Sequence, residues 1–220
     1  MRVAFFGGTF DPIHRVHLRL ASAAADACAL DRVLFAPVGT QPLKPDAAIA
    51  PYADRLAMVR LALENGVKPQ PAAEMLQAGT GNCADPRFAV SALDAPRPDG
   101  TANYSIDTLD ALALELPGAS LYVLSGADSF LDLRRWRSPD RLLALAEWIV
   151  VSRPEFPLSE AQLAQLALTP AQRARVHLLT TVHEEVSATE LRRRLQTGDP
   201  CRGLLPPAVA AYIQTHNLYR

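Results

Sequence analysis

Two histidines near the start of the chain stand at a spacing that suits the binding of an anion. His14 and His17 share one face of a helix if the helix has begun by then, and they follow the pair Gly7-Gly8. The apolar run from Val3 to Phe6 predicts a buried strand that the glycines end. Asp11-Pro12 predicts a helix start, with the carboxylate as its cap. A strand, a glycine turn and a helix N-terminus would together present free backbone amides to a phosphate group.

This glycine loop matches neither of the common phosphate-binding patterns. It contains no G-x-x-x-x-G-K-[ST], and its glycines do not fit G-x-G-x-x-G. Where the first pattern supplies a lysine, this loop supplies two imidazoles. The plainer interpretation is that both histidines are ordinary surface or helix-capping residues. Their place directly after Gly-Gly, at a predicted helix start, favours a role at a phosphate instead.

A second stretch with suitable residue types for an anion lies near the other end of the chain. Ser187 and Glu190 form the S-x-x-E pattern, which predicts a capping box and a helix that begins at Ser187. The Thr189 hydroxyl would join the free amides of the first turn around an anion. The Arg192 guanidinium, one turn further on, could hold a phosphate through two hydrogen bonds. The alternative is a well-capped surface helix with solvated arginines.

Strands and helices alternate along the chain, which predicts βαβ units. The expected fold class is therefore α/β, a Rossmann-like, doubly wound and mostly parallel sheet with helices on both faces. Ligands of such sheets bind at the carboxyl ends of the strands, where Gly7-Gly8 and Ser125-Gly126 both follow predicted strands. The predicted strands are 3–6, 32–37, 88–93, 121–124, 147–151 and 176–180, and the predicted helices are 15–30, 52–64, 105–116, 158–168, 188–197 and 207–216.

One domain, 1–220, is expected to hold all of these elements. Within it, residues 65–86 are punctuated by glycine and proline and predict an inserted loop with one helical turn at 72–78. Residues 187–220 predict a C-terminal helical portion that carries the second anion-binding stretch. The leucines and valine of the helix at 52–64 are expected on or near one face of it: Leu56, Val59, Leu61 and Leu63.

Composition limits the classes of protein to consider. The chain has 220 residues, 49% of them hydrophobic, and a net charge of −1, which argues against a general nucleic-acid or anionic-membrane binder. The arginines at 134, 135 and 137 and at 192–194 could still serve a small phosphate ligand. The three cysteines are far apart, so neither a disulfide framework nor a structural zinc site is expected. No apolar stretch suggests a signal peptide or a membrane span, and cytoplasm is the expected location.

The two anion-binding stretches resemble motifs of one known family. GGTFDPIHRVHL, from Gly7, is similar to the G-x-F-D-P-x-H-x-G-H signature of the nucleotidyltransferase superfamily, specifically of bacterial nicotinate mononucleotide adenylyltransferases. VSATELRRRL, from Val186, resembles the I-S-x-T-x-[IV]-R motif of the same family, and LYVLSGADSF resembles its I-x-G-x-D segment. The resemblance is weakest over 65–86. Two positions depart from the family pattern: Val16 replaces a glycine between the histidines, and Leu43 replaces a histidine before Lys44.

The resemblance implies transfer of an adenylyl group from ATP to nicotinate mononucleotide, with Mg²⁺ carried on the ATP. The attacking phosphate is already an anion, so no covalent nucleophile or general base is expected. Neither nucleic acid nor membrane is an expected partner, no protein residue is expected as a metal ligand, and a homo-oligomer is left open. The catalytic residues would be His14, His17, Lys44 and Arg192. The ATP-binding residues would be Gly7, Gly8, Thr9, Phe10, His14, His17, Gly126, Asp128, Ser187, Thr189 and Arg192.

The acceptor would be bound by a further set implied by the same resemblance: Thr40, Tyr104, Ser105, Trp136 and Arg153. Trp136 would stack on the pyridine ring, the backbone of Tyr104-Ser105 would receive the nicotinate carboxylate, and Asp128 would hydrogen-bond a ribose. Without the resemblance, Asp128 could be a helix cap, Trp136 a core residue and Lys44 a solvated loop residue.

Two other functions stay open from the sequence. One is a different small-molecule nucleotidyltransferase, of the pantetheine-phosphate adenylyltransferase or cytidylyltransferase type. The other is a nucleotide-binding protein that has lost catalysis, which Val16 and Leu43 keep open because a β-branched side chain between the histidines could push the nucleotide base away.

Overall fold

The computed structural model describes residues 1–43, 49–64, 85–152, 158–180 and 186–220. Six strands form one sheet within these ranges, and every neighbouring pair is parallel. The strands are β1 (Arg2–Gly8), β2 (Arg32–Pro37), β3 (Phe88–Val90), β4 (Ser120–Gly126), β5 (Glu147–Val151) and β6 (Val176–Leu179).

Helices connect the strands and cover both faces of the sheet. They are α1 (Arg15–Ala27), α2 (Tyr52–Glu64), α3 (Ser105–Glu115), α4 (Ala127–Leu131), α5 (Pro139–Leu145), α6 (Glu160–Gln165), α7 (Pro170–Arg173), α8 (Ala188–Gln196) and α9 (Pro207–Thr215), with a 3-10 turn at Leu133–Arg135. Within the described ranges, none of these helices has the length and apolarity needed to cross a membrane.

The order of the strands places a crevice beside β1. Along the sheet the order is β3-β2-β1-β4-β5-β6, so the chain winds away from β1 in one direction up to β3 and then in the other. Val3 of β1 lies between Arg32 of β2 and Leu121 of β4. Strand order reverses at this point, and the carboxyl ends of β1 and β4 leave a crevice between the loops that follow them. The predicted fold class is confirmed.

The side chains of β1 alternate between two apolar cores. Ala4 and Phe6 pack into the core on one face of the sheet, whereas Val3 and Phe5 pack into the core on the other. Strands that are buried on both faces read as continuous apolar runs, which is why this strand is visible in the sequence.

Several predicted bounds need correction. Residues 32–37, 52–64 and 147–151 have the predicted ends, but β1 runs through both glycines to Gly8 instead of ending before them. The short helices α4, α5 and α7 have no counterpart in the predicted pattern, since helices this short show too little periodicity. Of the residues predicted on or near one face of α2, Val59 is buried, and Leu61 and Leu63 pack partly buried against the same core. The other buried residues of this helix are Arg55, Met58 and Ala62. The predicted loop at 65–86 falls almost wholly outside the described residues, and the single domain stays a prediction.

Candidate active site

A cavity of about 630 Å³ lies at the carboxyl ends of β1 and β4. It brings together the two anion-binding stretches from opposite ends of the chain. Of the residues predicted for the site, those that line the cavity are Gly7, Gly8, Thr9, Phe10, His17, Tyr104, Ser105, Gly126, Asp128, Trp136, Thr189 and Arg192.

The glycine loop owes its shape to packing on the protein side. A Cβ atom at Gly7 would lie 2.8 Å from the ring of Phe5, so only glycine fits there without movement. Phe10 has a positive φ of 47°, which a bulky side chain rarely adopts. Its buried ring packs edge-on against Phe6, with the ring centroids 5.3 Å apart. The ring is thus turned into the core while the backbone of the loop faces the cavity.

The two histidines contact each other at the start of α1. Their ring centroids are 3.8 Å apart, and the backbone amide of His14 donates to Nδ1 of His17 over 3.2 Å. Burial lowers the pKa of His14 to about 4. Burial, followed by the nearby His14, holds the pKa of His17 well below its ordinary value. Both imidazoles are therefore neutral at pH 7, and only His17 lines the cavity.

This pairing decides which His17 nitrogen carries the proton. Nδ1 accepts a hydrogen bond, so the neutral ring must carry its hydrogen on Nε2. His17 thus presents an uncharged N–H donor at the cavity. His14, which is buried and outside the lining, acts on His17 through its backbone amide.

Arg192 joins the second stretch to the first. Its Nη1 donates to the backbone carbonyl of Asp11 over 2.7 Å, and its Nη2 donates to the Thr189 hydroxyl over 3.2 Å. α8 begins as predicted, because the Ser187 hydroxyl accepts the amide of Glu190 over 3.1 Å. The predicted capping box is wrong in its other half, since the Glu190 carboxylate pairs with Arg193 at 2.7 Å. Ser187 itself is exposed and does not line the cavity.

Asp11 does not cap a helix, and the predicted helix start at Asp11-Pro12 is wrong. α1 begins at Arg15, and His14 is its N-cap. Asp11 is 0% exposed, and its carboxylate accepts the backbone amides of Ile49 and Ala50 over 2.6 and 3.3 Å. The carboxylate therefore serves distant segments of the chain rather than the turn that follows it.

Gly126 and Asp128 form the wall of the cavity after β4. A Cβ atom at Gly126 would meet no atom within 4 Å, so the space in front of this backbone is open to a ligand. Asp128 lies in the first turn of α4, where its exposed carboxylate lines the cavity. Gly126 is the N-cap of α4 and no side chain caps this helix, so Asp128 is not the helix cap, and its contact with a ribose stays a prediction.

The predicted acceptor residues form the other end of the cavity: Tyr104 and Trp136 pack against the core on one face of the sheet, whereas Phe10 of the glycine loop packs into the core on the other face. Tyr104 caps α3 and Ser105 begins it, so the free amides of that helix start face this end. The ring of Trp136 packs edge-on against the buried Trp148, with the centroids 5.7 Å apart. The Arg137 guanidinium lies 4.8 Å from the centroid of the Tyr104 ring. The cation of Arg137 thus lies over the ring of Tyr104 at the N-terminus of α3.

Of the predicted acceptor residues that the structure describes, Thr40 does not line the cavity. Its backbone amide donates to Oδ1 of Asn103 over 3.0 Å, and its carbonyl accepts the Asn103 amide over 2.9 Å. Both backbone groups are thereby used to hold two loops together. Lys44 and Arg153 lie outside the described residues.

Some residues that line the cavity were missed as individual site residues. They are Asp94, Asn103, Asp132, Arg135 and Arg137. The arginine cluster at 134–137 could have indicated Arg135 and Arg137 as site residues. Arg134 of the same cluster does not line the cavity, and it forms an ion pair of 2.7 Å with Asp140. Asp94 is buried, its pKa is raised by that burial, and the Thr108 hydroxyl donates to its carboxylate. Nothing in its local sequence marks it.

Comparisons with known proteins agree with this architecture. Residues 5–194 match the family model described as cytidylyltransferase-like. A Pelobacter propionicus protein named "probable nicotinate-nucleotide adenylyltransferase" is 38% identical over 233 residues, which cover 100% of this chain and 98% of that protein. A protein of the same name from Roseiflexus sp. is 40% identical over 220 residues, which cover 99% of this chain and 98% of that protein. The solved structure of Plasmodium falciparum nicotinic acid mononucleotide adenylyltransferase complexed with NaAD has a TM-score of 0.75 at 17% identity, covering 99% of this chain and 97% of that chain, which is a likeness of fold.

Proposed function

Because the chain belongs to the cytidylyltransferase-like family, and within it to the nicotinate-nucleotide adenylyltransferases, we propose that it transfers the adenylyl group of ATP to nicotinate mononucleotide. The phosphate oxygen of the mononucleotide forms a bond to the α-phosphorus of ATP. The bond from that phosphorus to the bridging oxygen breaks, and pyrophosphate leaves. The product is nicotinate adenine dinucleotide, a precursor of NAD.

One observation carries the proposal: His17, Thr189 and Arg192 line the same cavity although they come from opposite ends of the chain. The neutral N–H of His17 and the cationic fork of Arg192 are both donors to phosphate oxygens. A phosphate placed between them would also reach the open backbone of the glycine loop. These groups orient the triphosphate and stabilise the negative charge that develops on the leaving pyrophosphate.

The neutral state of His17 suits this task. A donor that is already uncharged does not lose a proton to the attacking or leaving phosphate, so its hydrogen bond persists through the reaction. The reaction needs no base, because the attacking phosphate oxygen is an anion before it enters the site. Alignment and charge stabilisation are what this chain contributes.

Magnesium belongs to this proposal as an ion that arrives with ATP. In the part of the chain that the structure describes, no three His, Cys, Asp or Glu side chains converge on a point that could hold a metal. Magnesium usually keeps water and phosphate oxygens as ligands and takes few from the protein. The aspartates that line the cavity, Asp11, Asp94, Asp128 and Asp132, are consistent with that arrangement. Bound to the polyphosphate, the ion would neutralise charge on the leaving group.

The acceptor end has groups that can bind both the ring and the carboxylate of nicotinate. The half-buried indole of Trp136 offers a face for stacking, and the amides at the start of α3 can receive a carboxylate. Arg137 adds a positive charge beside them. A negatively charged pyridine substituent is favoured here over a neutral carboxamide.

The test is pyrophosphate release by the purified chain with magnesium and one acceptor at a time. We expect release with ATP and nicotinate mononucleotide, and slower release with nicotinamide mononucleotide. Release only with phosphopantetheine, or only when CTP replaces ATP, would assign a different nucleotidyltransferase. No release with any acceptor, in a chain that still binds ATP, would identify a nucleotide-binding protein without catalysis. The cytoplasmic location stays a prediction, and gel filtration of the same sample would decide whether the chain forms a homo-oligomer.

A further inference from the structure

A buried polar cluster lies behind the glycine loop and has no role in the proposed chemistry. Asp11, Arg55 and Tyr219 are 0, 2 and 6% exposed, and they come from three distant parts of the chain. Arg55 holds the loop directly, because its Nη1 donates to the carbonyl of Thr9 over 2.7 Å. Its Nε donates to the carbonyl of Ala50 over 3.1 Å. A buried charge is stable only when hydrogen bonds satisfy it. The hydrogen-bond partners in this cluster therefore show which groups stabilise each buried charge.

The carboxylate of Asp11 is satisfied by neutral donors. Oδ2 accepts the amide of Ile49, and Oδ1 accepts the amide of Ala50 and the hydroxyl of Tyr219. Burial and the adjacent Asp11 raise the pKa of Tyr219, so its oxygen stays protonated and donates. Asp11 thus needs no cation as a direct hydrogen-bond partner.

Arg192 stands beside this carboxylate without pairing closely with it. Its Nη1 lies 4.0 Å from Oδ2 of Asp11 and donates instead to the backbone carbonyl of the same residue. If the Arg192 guanidinium turned to form two hydrogen bonds with the buried carboxylate, its charge would be neutralised there. It would then no longer be available to bind a phosphate in the cavity. Asp11 is therefore a competitor for Arg192.

From this arrangement we propose that Tyr219 is a positioning residue for the triphosphate: its hydroxyl satisfies Asp11 and so keeps Arg192 directed at the cavity. This inference rests on the proposed use of ATP. It assigns a task to a residue that does not itself line the cavity and that acts on Arg192 through Asp11, which does. Loss of the hydroxyl would leave Asp11 short of a donor, and the Arg192 guanidinium, with Nη1 4.0 Å from Oδ2 of Asp11, is a cation within reach of it.

The chain offers a matched control in Tyr212. The Tyr212 hydroxyl donates to the carboxylate of Asp54 over 2.8 Å, which joins α9 to α2. It is the same tyrosine–aspartate bond, formed from a neighbouring position, but neither residue lines the cavity. A loss of ATP binding shared by both tyrosines would reflect general loosening of this part of the fold.

The experiment is calorimetric titration of ATP with magnesium into the wild type, Tyr219→Phe and Tyr212→Phe. Tyr219→Phe should weaken ATP binding about tenfold, while Tyr212→Phe stays within about twofold of the wild type. Binding of nicotinate mononucleotide should change in neither variant. Circular dichroism and thermal unfolding establish beforehand that each variant is folded.

A double-mutant cycle with Arg192→Ala identifies the route of the effect. If Tyr219 acts through Arg192, Tyr219→Phe should change ATP affinity less than about twofold in the Arg192→Ala background. An equal loss in both backgrounds would overturn the proposal, as would wild-type ATP affinity in Tyr219→Phe.

A crystal structure of the wild type with ATP and magnesium tests the same point without a substitution. We expect Arg192 on a phosphate oxygen while Tyr219 still donates to Asp11, and a direct two-bond pair between Arg192 and Asp11 would overturn the proposal. These experiments measure ATP binding and not turnover, so failure of the proposal about Tyr219 can be told apart from failure of the proposed function. If the chain binds ATP in a Tyr219-dependent way but does not use nicotinate mononucleotide, only the proposed function is refuted.

Discussion

The two ends of the cavity are built in different ways. At the phosphate end, buried groups from distant segments hold the loop through hydrogen bonds, as when Tyr219 reaches Asp11 across 208 positions of sequence. At the acceptor end, Trp136 and the exposed Arg137 come from one short segment. Trp136 packs against Trp148, and Arg137 lies over the ring of Tyr104 at the start of α3. Substitutions at the phosphate end should therefore alter stability and turnover together, whereas those at the acceptor end should alter recognition of the mononucleotide alone.

The largest effect is expected at His17. His17→Ala removes the neutral N–H donor from the phosphate end and should lower kcat by roughly 100-fold, the usual cost of a lost donor to developing charge. Steady-state rates of pyrophosphate release measure it. The control is His216→Ala, an exposed histidine stacked on Tyr212 and outside the cavity, which should keep wild-type turnover. Near-normal turnover in His17→Ala would remove His17 from the mechanism.

The second-largest effect expected at the phosphate end is a loss of stability at low pH, caused by His14. His14 has a pKa of about 4 when folded against 6.5 when unfolded, so the unfolded chain binds more protons between these values. The contribution of His14 to the free energy of unfolding is therefore complete above pH 6.5. It falls by about 3 kcal/mol as the pH drops towards 4. Urea unfolding across this range measures the loss.

The matched variant for that measurement is His14→Asn. Asparagine is a good N-cap that does not titrate, so the variant should lose about 3 kcal/mol less than the wild type over the same pH range. Parallel curves for the two proteins would show that His14 is not held neutral by burial.

A smaller and more selective effect is expected at the acceptor end. Trp136→Ala removes the stacking face and should raise KM for nicotinate mononucleotide about tenfold. KM for ATP in the same variant is the internal control and should stay close to the wild-type value, because Trp136 lies at the other end of the cavity. A matching rise in both KM values would erase the distinction between the two ends.

The smallest effect is expected at Val16, the residue that departs from the family signature. Val16 is 7% exposed, lies in the first turn of α1 and does not line the cavity. Val16→Gly should lower Tm by a few degrees through the helix, while kcat/KM for ATP changes by about twofold or less. A large gain in ATP use would show that the valine does obstruct the nucleotide.

Local patterns in the sequence were enough to predict the sheet and to single out two stretches whose residues line one cavity. The strand at 32–37 and the helix at 52–64 have the predicted ends because buried strands and long helices leave strong patterns. Asp11 shows where such patterns fail: an aspartate before a proline looks like a helix cap, but its partners come from segments that only the fold brings near. The same holds for Arg55, which looks like a solvated helix arginine. Its phase with Met58, Val59 and Ala62 could have indicated the buried face.

The roles of single site residues depend on a ligand and stay predictions. Their positions were predictable where a motif is local, as for His17 and Thr189. They were not predictable where burial decides the chemistry, since neither the neutral state of His14 nor the bond from Tyr219 to Asp11 leaves a mark in the neighbouring sequence.

In the proposed function, the two ends of the chain form one clamp on the phosphates of ATP. Its most direct test compares calorimetric titrations of ATP and AMP, with magnesium, into the wild type and Arg192→Ala. The wild type should bind ATP at least about tenfold more tightly than AMP, and Arg192→Ala should lose most of that difference. Equal affinities for ATP and AMP in the wild type, or an undiminished preference for ATP in Arg192→Ala, would contradict the clamp.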